Sequence, residues 1–319
     1  MTKRPLVAIV GPTASGKTAV SVELAKRLGA EIVSADSMQI YKRMEIATAK
    51  PTEAEMGGVR HHLIDFLEPC ESFSVARYCE LALLATEDIL KRGRLPILCG
   101  GTGLYVTSFI DNIWFEENAP SEDLRRELTR LSEEQGGQRL LSILREFDPE
   151  TAERLHKNNI TRIIRAIEVY RTTGVTMSEL QRRSRQESLF EPCMIGLGFD
   201  DRELLYQRIN LRVDRMLEAG LLEEAERVFS EPQLKTAVQA IGYKELKPYF
   251  DGSMSLDSCI ERLKQSTRHY AKRQLTWFRR DKRIHWIMMD RLGTKEAADS
   301  AMKIIEDSGV LELMGDKKV

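Results

Sequence analysis

Gly11-Pro12-Thr13-Ala14-Ser15-Gly16-Lys17-Thr18 fits the phosphate-binding pattern G-x-x-x-x-G-K-[ST]. Before it runs an apolar stretch, Leu6 to Val10, with the character of a strand. After it, Ala19 to Leu28 reads as a helix closed by Gly29. In a strand, loop, helix context the glycines let backbone N–H groups turn inward on a phosphate. Lys17 then supplies a point charge, and the Thr18 hydroxyl can hold Mg²⁺. All eight residues, Gly11, Pro12, Thr13, Ala14, Ser15, Gly16, Lys17 and Thr18, are therefore candidates for holding a diphosphate or nucleotide. The loop alone leaves open whether that phosphate compound is cleaved, transferred or merely held.

Outward from the loop, apolar runs alternate with helical patterns through the first hundred residues, as parallel βαβ units do. Strands are expected at Leu6–Val10, Glu31–Ser34 and Leu95–Cys99, with returning strands at Cys193–Phe199 and Ile284–Met289. In a doubly wound sheet the carboxyl ends of such strands share one edge, where ligands bind. From about Asn118 the pattern becomes helical. Pro120-Ser121-Glu122-Asp123 is a helix start, and helical periodicity continues to about Arg185 without a strand signal. The expected fold is α/β: a P-loop NTPase-like parallel sheet core (1–118 and 191–290, its C-terminal part basic and helical), an inserted helical domain (119–190) and a frayed tail (291–319).

With 319 residues, 42% hydrophobic and 30% charged, the chain can bury a sizeable core in two domains. The net charge of −1 means that attraction to nucleic acid must come from local clustering. Five cysteines without a C-x-x-C pair suit reduced thiols and suggest no zinc site. The first core strand begins by Leu6, and no apolar run approaches membrane-spanning length, so a cytoplasmic protein is expected.

Three further features carry chemistry. Asp36 follows the second strand directly and so should face the phosphate loop, where a carboxylate can act as a base or help hold Mg²⁺. Capping a turn with Ser37 is the plainer alternative. The third strand ends in Cys99-Gly100-Gly101-Thr102, without the acidic residue common after an apolar strand in phosphate-loop ATPases. The paired glycines leave room for a ligand, and Thr102 is either a contact or a helix cap. Finally, nine basic residues stand between Arg262 and Arg283 against one acid, Asp281, interleaved with His269, Tyr270, Trp277 and Phe278. Such a stripe can neutralise nucleic-acid phosphates, or form a solvated face. His61 and His62 have no third ligand at metal-binding spacing, and a structural role is expected for them.

Taken together, the chain resembles the tRNA dimethylallyltransferase (tRNA isopentenyltransferase) family. The resemblance rests on GPTASGKT at 11–18, DSMQIYKRMEIATAKP at 36–51, HHLID at 61–65 and GGTGLY at 100–105. It continues through RIIRAIEVY at 162–170, RELLYQRINLRVDRML at 202–217, IGYKEL at 241–246 and RQLTWFR at 273–279. Departures are few: Ala47 stands where glycine is expected, and Thr161 and Ile164 where polar residues are common in bacterial members. The zinc-finger extension of eukaryotic members is missing, which suggests the bacterial type.

The resemblance implies transfer of a dimethylallyl group from dimethylallyl diphosphate to the exocyclic amine of the adenosine just 3′ of the tRNA anticodon. Lys17, the loop amides, Mg²⁺ on Thr18, and Arg212 would stabilise the departing diphosphate, with Asp36 as general base. Asp36, Ser37, Met38 and Gln39 would line the pocket of the flipped base. Thr102, Arg125 and the segment Thr161, Arg162, Ile163, Ile164 and Arg165 would contact tRNA. The helical insertion would grip the anticodon stem, and the enzyme is expected to act as a monomer. Two other enzyme readings, an adenylate dimethylallyltransferase and a small-molecule kinase, leave the insertion and the basic stripe without a task. A non-enzymatic RNA-binding switch would not need Asp36 opposite the loop.

Overall fold

The computed structural model describes residues 3–113, 121–184, 186–231, 238 and 240–317. The expected boundary at 118/119, Pro120, Arg185 and the last two residues of the expected tail lie outside them. The chain forms two compact units, one of residues 1–110 and 188–319, the other of residues 111–187.

The larger unit is built on six strands: β1 (Arg4–Val10), β2 (Glu31–Ser34), β3 (His61–His62), β4 (Pro96–Gly100), β5 (Phe190–Gly198) and β6 (Ile284–Met288). Their order is β3-β2-β4-β1-β5-β6, and every pairing is parallel. This is a P-loop NTPase-like core. Strand β1 lies at the centre, and Leu6 to Val10 are all fully buried. Val7 and Ile9 enter the core on one face of the sheet, and Leu6, Ala8 and Val10 the core on the other. A central strand buried on both faces needs an unbroken apolar run, which is what its sequence supplies. The short β3 has no strand signal in the sequence. His62 Nε2 lies 2.7 Å from Oε2 of the buried Glu31, and His61 Nδ1 lies 2.9 Å from the carbonyl of Val59.

The helices α1 (Lys17–Leu28), α2 (Glu53–Met56), α3 (Val75–Lys91) and α4 (Gly103–Ile110) come from the first half of this unit. In the other unit stand α5 (Glu122–Phe147), which bends at Gly136, α6 (Pro149–Arg154), α7 (Ile160–Thr173) and α8 (Met177–Arg183). Their apolar stripes meet in a separate core around Leu128, Leu140, Leu144, Ile163 and Ile167. The chain then returns through β5 to α9 (Arg202–Glu218), α10 (Leu221–Ser230), α11 (Lys247–Phe250) and α12 (Leu256–Phe278).

The stretch after residue 290, read from sequence as a frayed tail, instead carries α13 (Thr294–Asp307). Ala297, Ala298, Ala301 and Ile305 are fully buried, and α13 packs on α1, where Arg27 pairs with Asp299 at 2.5 Å. Small residues at helical spacing allow that close approach, but alanine is too weakly apolar for the stripe to stand out in the sequence.

Candidate functional site

Because the strands run parallel, β1, β2 and β4 end at one edge, and the turn after each carries its chemical groups into the same place. After β1, Gly11 adopts φ +147° with its Cα against the carbonyl of Leu197; a Cβ there would stand 2.5 Å from that oxygen. Gly16 caps α1 at φ +91°. The chain thereby wraps round the N-terminus of α1, where amides and helix dipole favour an anion. Lys17 Nζ donates to the carbonyl of Pro12 at 2.6 Å.

After β2, Asp36 Oδ1 accepts the amides of Met38 (2.9 Å) and Gln39 (3.3 Å), so the carboxylate does cap its own turn. Oδ2 takes no part in those bonds. After β4, the Thr102 hydroxyl accepts the amide of Ser37 at 3.0 Å. Backbone bonds from Ala35 to Cys99 (2.8 Å) and from Thr102 to Ala35 (3.1 Å) lock the two turns together. Gly100 packs directly on the Ala35 backbone, leaving no space for a side chain.

These turns wall a cavity of about 330 Å³, in the range of small-ligand sites. Thr13, Lys17, Thr18, Asp36, Ser37, Met38, Gln39 and Arg212 all line it, as do Tyr270, Arg273 and Gln274 from α12. Part of its lining is apolar, formed by Ala47, Val213, Met216, Ile241 and Leu263, which belong to one hydrophobic cluster. Among the described residues Asp36 is the one carboxylate on this wall, facing the cations Lys17, Arg212 and Arg273. Burial lowers the Lys17 ammonium to about 8; the Arg212 charge adds to that fall, while Cys99 and Asp36 oppose it. Burial also lowers the Arg212 guanidinium, against the attraction of Asp36. Two partly buried cations beside one acid form a site that gains from a polyanion.

Sequence reasoning missed two residues that shape this site. Gln274 is buried and bridges two of the turns: its Oε1 accepts the amide of Thr13 at 2.8 Å, and its Nε2 donates to the carbonyl of Gly101 at 2.9 Å. Its spacing from Tyr270 and Trp277, four before and three after, was the available signal. Arg208, one turn before Arg212 on α9, donates Nε to the carbonyl of Ala14 at 3.0 Å.

The other expected contacts lie in the unit of residues 111–187. Arg125 (2.8 Å) and Arg165 (2.7 Å) both bind Glu168, which is fully buried and also accepts the amide of Ser121. Burial would raise that carboxyl, but the two arginines and the amide hold it below its usual range. Thr161 and Arg162 are exposed. Ile163 and Ile164 correct the sequence reading: both side chains are buried in this unit's own core, where the helical stripe of α7 places them. The basic stripe also divides. Tyr270 and Arg273 face the cavity, Lys264 pairs with Asp214 at 2.8 Å and Arg268 bonds Asn210 at 2.7 Å. Arg262, Lys272, Arg279, Arg280 and Lys282 are exposed.

A family model described as IPP transferase matches residues 39–281, and one described as isopentenyl transferase matches residues 4–70. The chain belongs to the IPP transferase family. The tRNA dimethylallyltransferase of Geobacillus thermodenitrificans is 52% identical over 285 residues, covering 89% of this chain and 90% of that one. Among solved structures, the full-length tRNA isopentenylpyrophosphate transferase of Bacillus halodurans matches this chain with a TM-score of 0.72 at 44% identity, covering 97% and 99% of the two chains. A eukaryotic dimethylallyltransferase, captured acting on tRNA, matches with a TM-score of 0.81 at 29% identity over 97% of this chain and 80% of that one. Among the described residues no helix is long and apolar enough to cross a membrane.

Proposed function

We infer that this protein is a tRNA dimethylallyltransferase, transferring the dimethylallyl group of dimethylallyl diphosphate to adenosine in tRNA. Its specific target would be the N6 amine at position 37, beside the anticodon. The observation that carries the reading is one cavity that combines a phosphate loop, a single carboxylate and an apolar flank.

In this reading the C1–O bond to diphosphate breaks as the N6–C1 bond forms, and N6 gives its proton to a carboxylate. The allylic carbon develops positive charge while the leaving group develops negative charge. Lys17, Arg212 and the loop amides meet the latter, which lowers the barrier only if they are already in place. Adenine's exocyclic amine is a poor nucleophile because its lone pair is delocalised into the ring. Asp36 Oδ2 is therefore assigned as the base, with Oδ1 held by the amides of Met38 and Gln39. The apolar flank would receive the dimethylallyl group and exclude the water that would otherwise capture the cation. A stacked base cannot reach this cavity, so the adenosine must flip out, against Ser37, Met38 and Gln39.

A divalent metal fits the donor set. Among the described residues no three His, Cys, Asp or Glu side chains could hold a metal unaided, and the Thr18 hydroxyl lines the cavity. Mg²⁺ characteristically takes one or two protein oxygens and completes its shell with substrate phosphates and water. Thr18 would hold it, and it would supply charge to the leaving diphosphate.

Thr102, bonded to Ser37, would set the base-pocket turn. Exposed Thr161 and Arg162, with the Glu168-braced Arg125 and Arg165, would contact the anticodon stem-loop. The active unit is proposed to be a monomer. Incubation with labelled dimethylallyl diphosphate and either unmodified tRNA or AMP tests the reading. Label should enter tRNA alone; label in AMP would favour a free-nucleotide transferase, and ATP hydrolysis a kinase or switch.

A further inference from the structure

We propose that Glu224 is a positioning residue for the base pocket, acting from outside the cavity through the loop of residues 44–49 and the side chain of Gln39. The inference rests on the dimethylallyl transfer reading above. Glu224 lies on α10 and is fully buried. Its Oε2 accepts the amides of Glu45 and Ile46, each at 2.9 Å; its Oε1 accepts the amide of Ala47 and the hydroxyl of Tyr243, each at 2.8 Å. Four donors on two oxygens match the acceptor capacity of a carboxylate, which makes a buried charge tolerable.

The loop forms turns rather than a strand: backbone bonds run from Ala49 to Ile46 and from Lys50 to Glu45, each at 2.9 Å, while the three consecutive amides of Glu45, Ile46 and Ala47 meet in Glu224, which fixes the start of those turns. From there the contacts run to the site. Thr48 Oγ1 donates to the carbonyl of Met44 at 2.6 Å, and the carbonyls of Thr48 (3.2 Å) and Ala49 (3.1 Å) accept both bonds from Gln39 Nε2. Gln39 in turn gives its backbone amide to Asp36 Oδ1. Across the loop Gly242, at φ +112°, packs on Ala47, where a Cβ would stand 2.8 Å from the alanine methyl. Two adjacent residues, Gly242 and Tyr243, thus pack on Ala47 and complete the Glu224 shell. Ala47, Thr48 and Gly242 line the cavity, so the clamp shapes its wall without touching its contents.

A carboxylate is required because glutamine would turn one acceptor into a donor facing an N–H. In the full-length protein, Glu224→Gln should lower kcat/KM for tRNA by about tenfold or more, the scale of a lost charged hydrogen bond. Pyrophosphate affinity should stay near the wild-type value, because the phosphate loop takes no bond from this clamp. In a Gln39→Ala background most of the Glu224→Gln effect should vanish, since both changes interrupt one chain of contacts. Tyr243→Phe keeps the carboxylate and its three amides and should cost roughly threefold, again dependent on Gln39. A folded Glu224→Gln protein with wild-type kcat/KM, or with the same loss in the Gln39→Ala background, overturns the proposal. If Glu224→Gln does not fold, Tyr243→Phe decides, and an unchanged rate there overturns it too. A wild-type protein without transfer to tRNA removes the functional reading itself; an active wild type with an indifferent Glu224 removes only this inference.

Discussion

The phosphate loop and the segment Asp36 to Lys50 wall the same cavity and differ in how much of their shape is local. The loop's shape is written largely in its own backbone: Gly11 and Gly16 occupy conformations that favour glycine, α1 begins where the loop ends, and Gln274 and Arg208 add one bond each from afar. The segment from Asp36 turns on its own backbone bonds but takes more of its order from distant partners. Thr102 holds Ser37, Glu224 holds the amides of Glu45 to Ala47, and Lys50 Nζ reaches the carbonyl of Tyr41 at 2.7 Å and Asp65 at 2.5 Å. A locally built half suits a diphosphate, whose shape does not vary. A half built from distant parts suits recognition of one base, because several elements must agree before it forms. The two halves should therefore fail separately.

The largest separation should come from Asp36→Asn. The amide has nearly the carboxylate's shape, and single-turnover transfer at saturating tRNA should fall by ~10² or more, the usual share of general-base catalysis. Affinities for pyrophosphate and tRNA should stay within a few-fold. An unchanged rate would remove Asp36 from the chemistry.

Lys17→Ala should act on the other half, weakening pyrophosphate binding by roughly 10- to 100-fold through loss of charged hydrogen bonds, with tRNA affinity little altered. ATP should compete poorly, because the reading assigns the cavity to a diphosphate and a base in tRNA. The Lys17 ammonium, brought down to about 8 chiefly by burial, adds a pH signature. In the free protein it is charged below pH 8 and loses its proton above it, and the diphosphate binds the charged form. Affinity for dimethylallyl diphosphate should therefore decline as pH rises through 8, with proton uptake on binding in that range. The ligand's own last ionisation, near 6 as for other phosphate esters, is complete by then. Calorimetry in two buffers of different ionisation enthalpy measures the uptake, and Lys17→Met should abolish it.

Gln274→Ala probes the joint between the halves. It leaves the Thr13 amide and the Gly101 carbonyl without their partner, so pyrophosphate affinity and transfer rate should both fall, each by about fivefold to tenfold. A loss confined to one of them would show that Gln274 serves that half alone.

The smallest expected effect concerns tRNA in general. Changing the exposed Lys272, Arg279 and Lys282 to alanine should weaken binding to any tRNA and make the salt dependence shallower by about one unit for each phosphate no longer neutralised. The same adenosine should still be modified at saturating tRNA, since base choice lies in the pocket. Folding is checked by circular dichroism; a folded variant with wild-type affinity and slope would make the stripe a solvated face.

Reading the sequence found the strands with strong apolar runs, among them β1, β2 and β4, and so placed the phosphate loop and Asp36 at one edge. It missed β3, because two histidines carry no strand pattern: His62 is held by the buried Glu31, whose carboxyl the Arg92 bond brings down to about 2, and His61 by the carbonyl of Val59. It missed α13 because small buried residues carry little hydropathy. It assigned Ile163 and Ile164 to RNA by position in a motif, when the 3.6-residue stripe of α7 already marked them as core. Gln274 stood inside a recognisable block but had no chemistry of its own until Thr13 and Gly101 were brought to it.

By itself the sequence determined what depends on neighbours in the chain: the strand periods, the glycines that let a loop close on a phosphate, the caps, and the residue types available at each turn. These are local because backbone sterics and helix or strand period act over a few residues. The tertiary structure decided what depends on residues far apart. It decided that Gln274 joins two turns across 261 and 173 positions, that Glu224 takes up the amides of Glu45 to Ala47, and that part of a basic stripe faces inward. Hydrogen bonds and burial act between atoms within a few ångströms, wherever the chain brings them from, so their partners are fixed only once the fold exists.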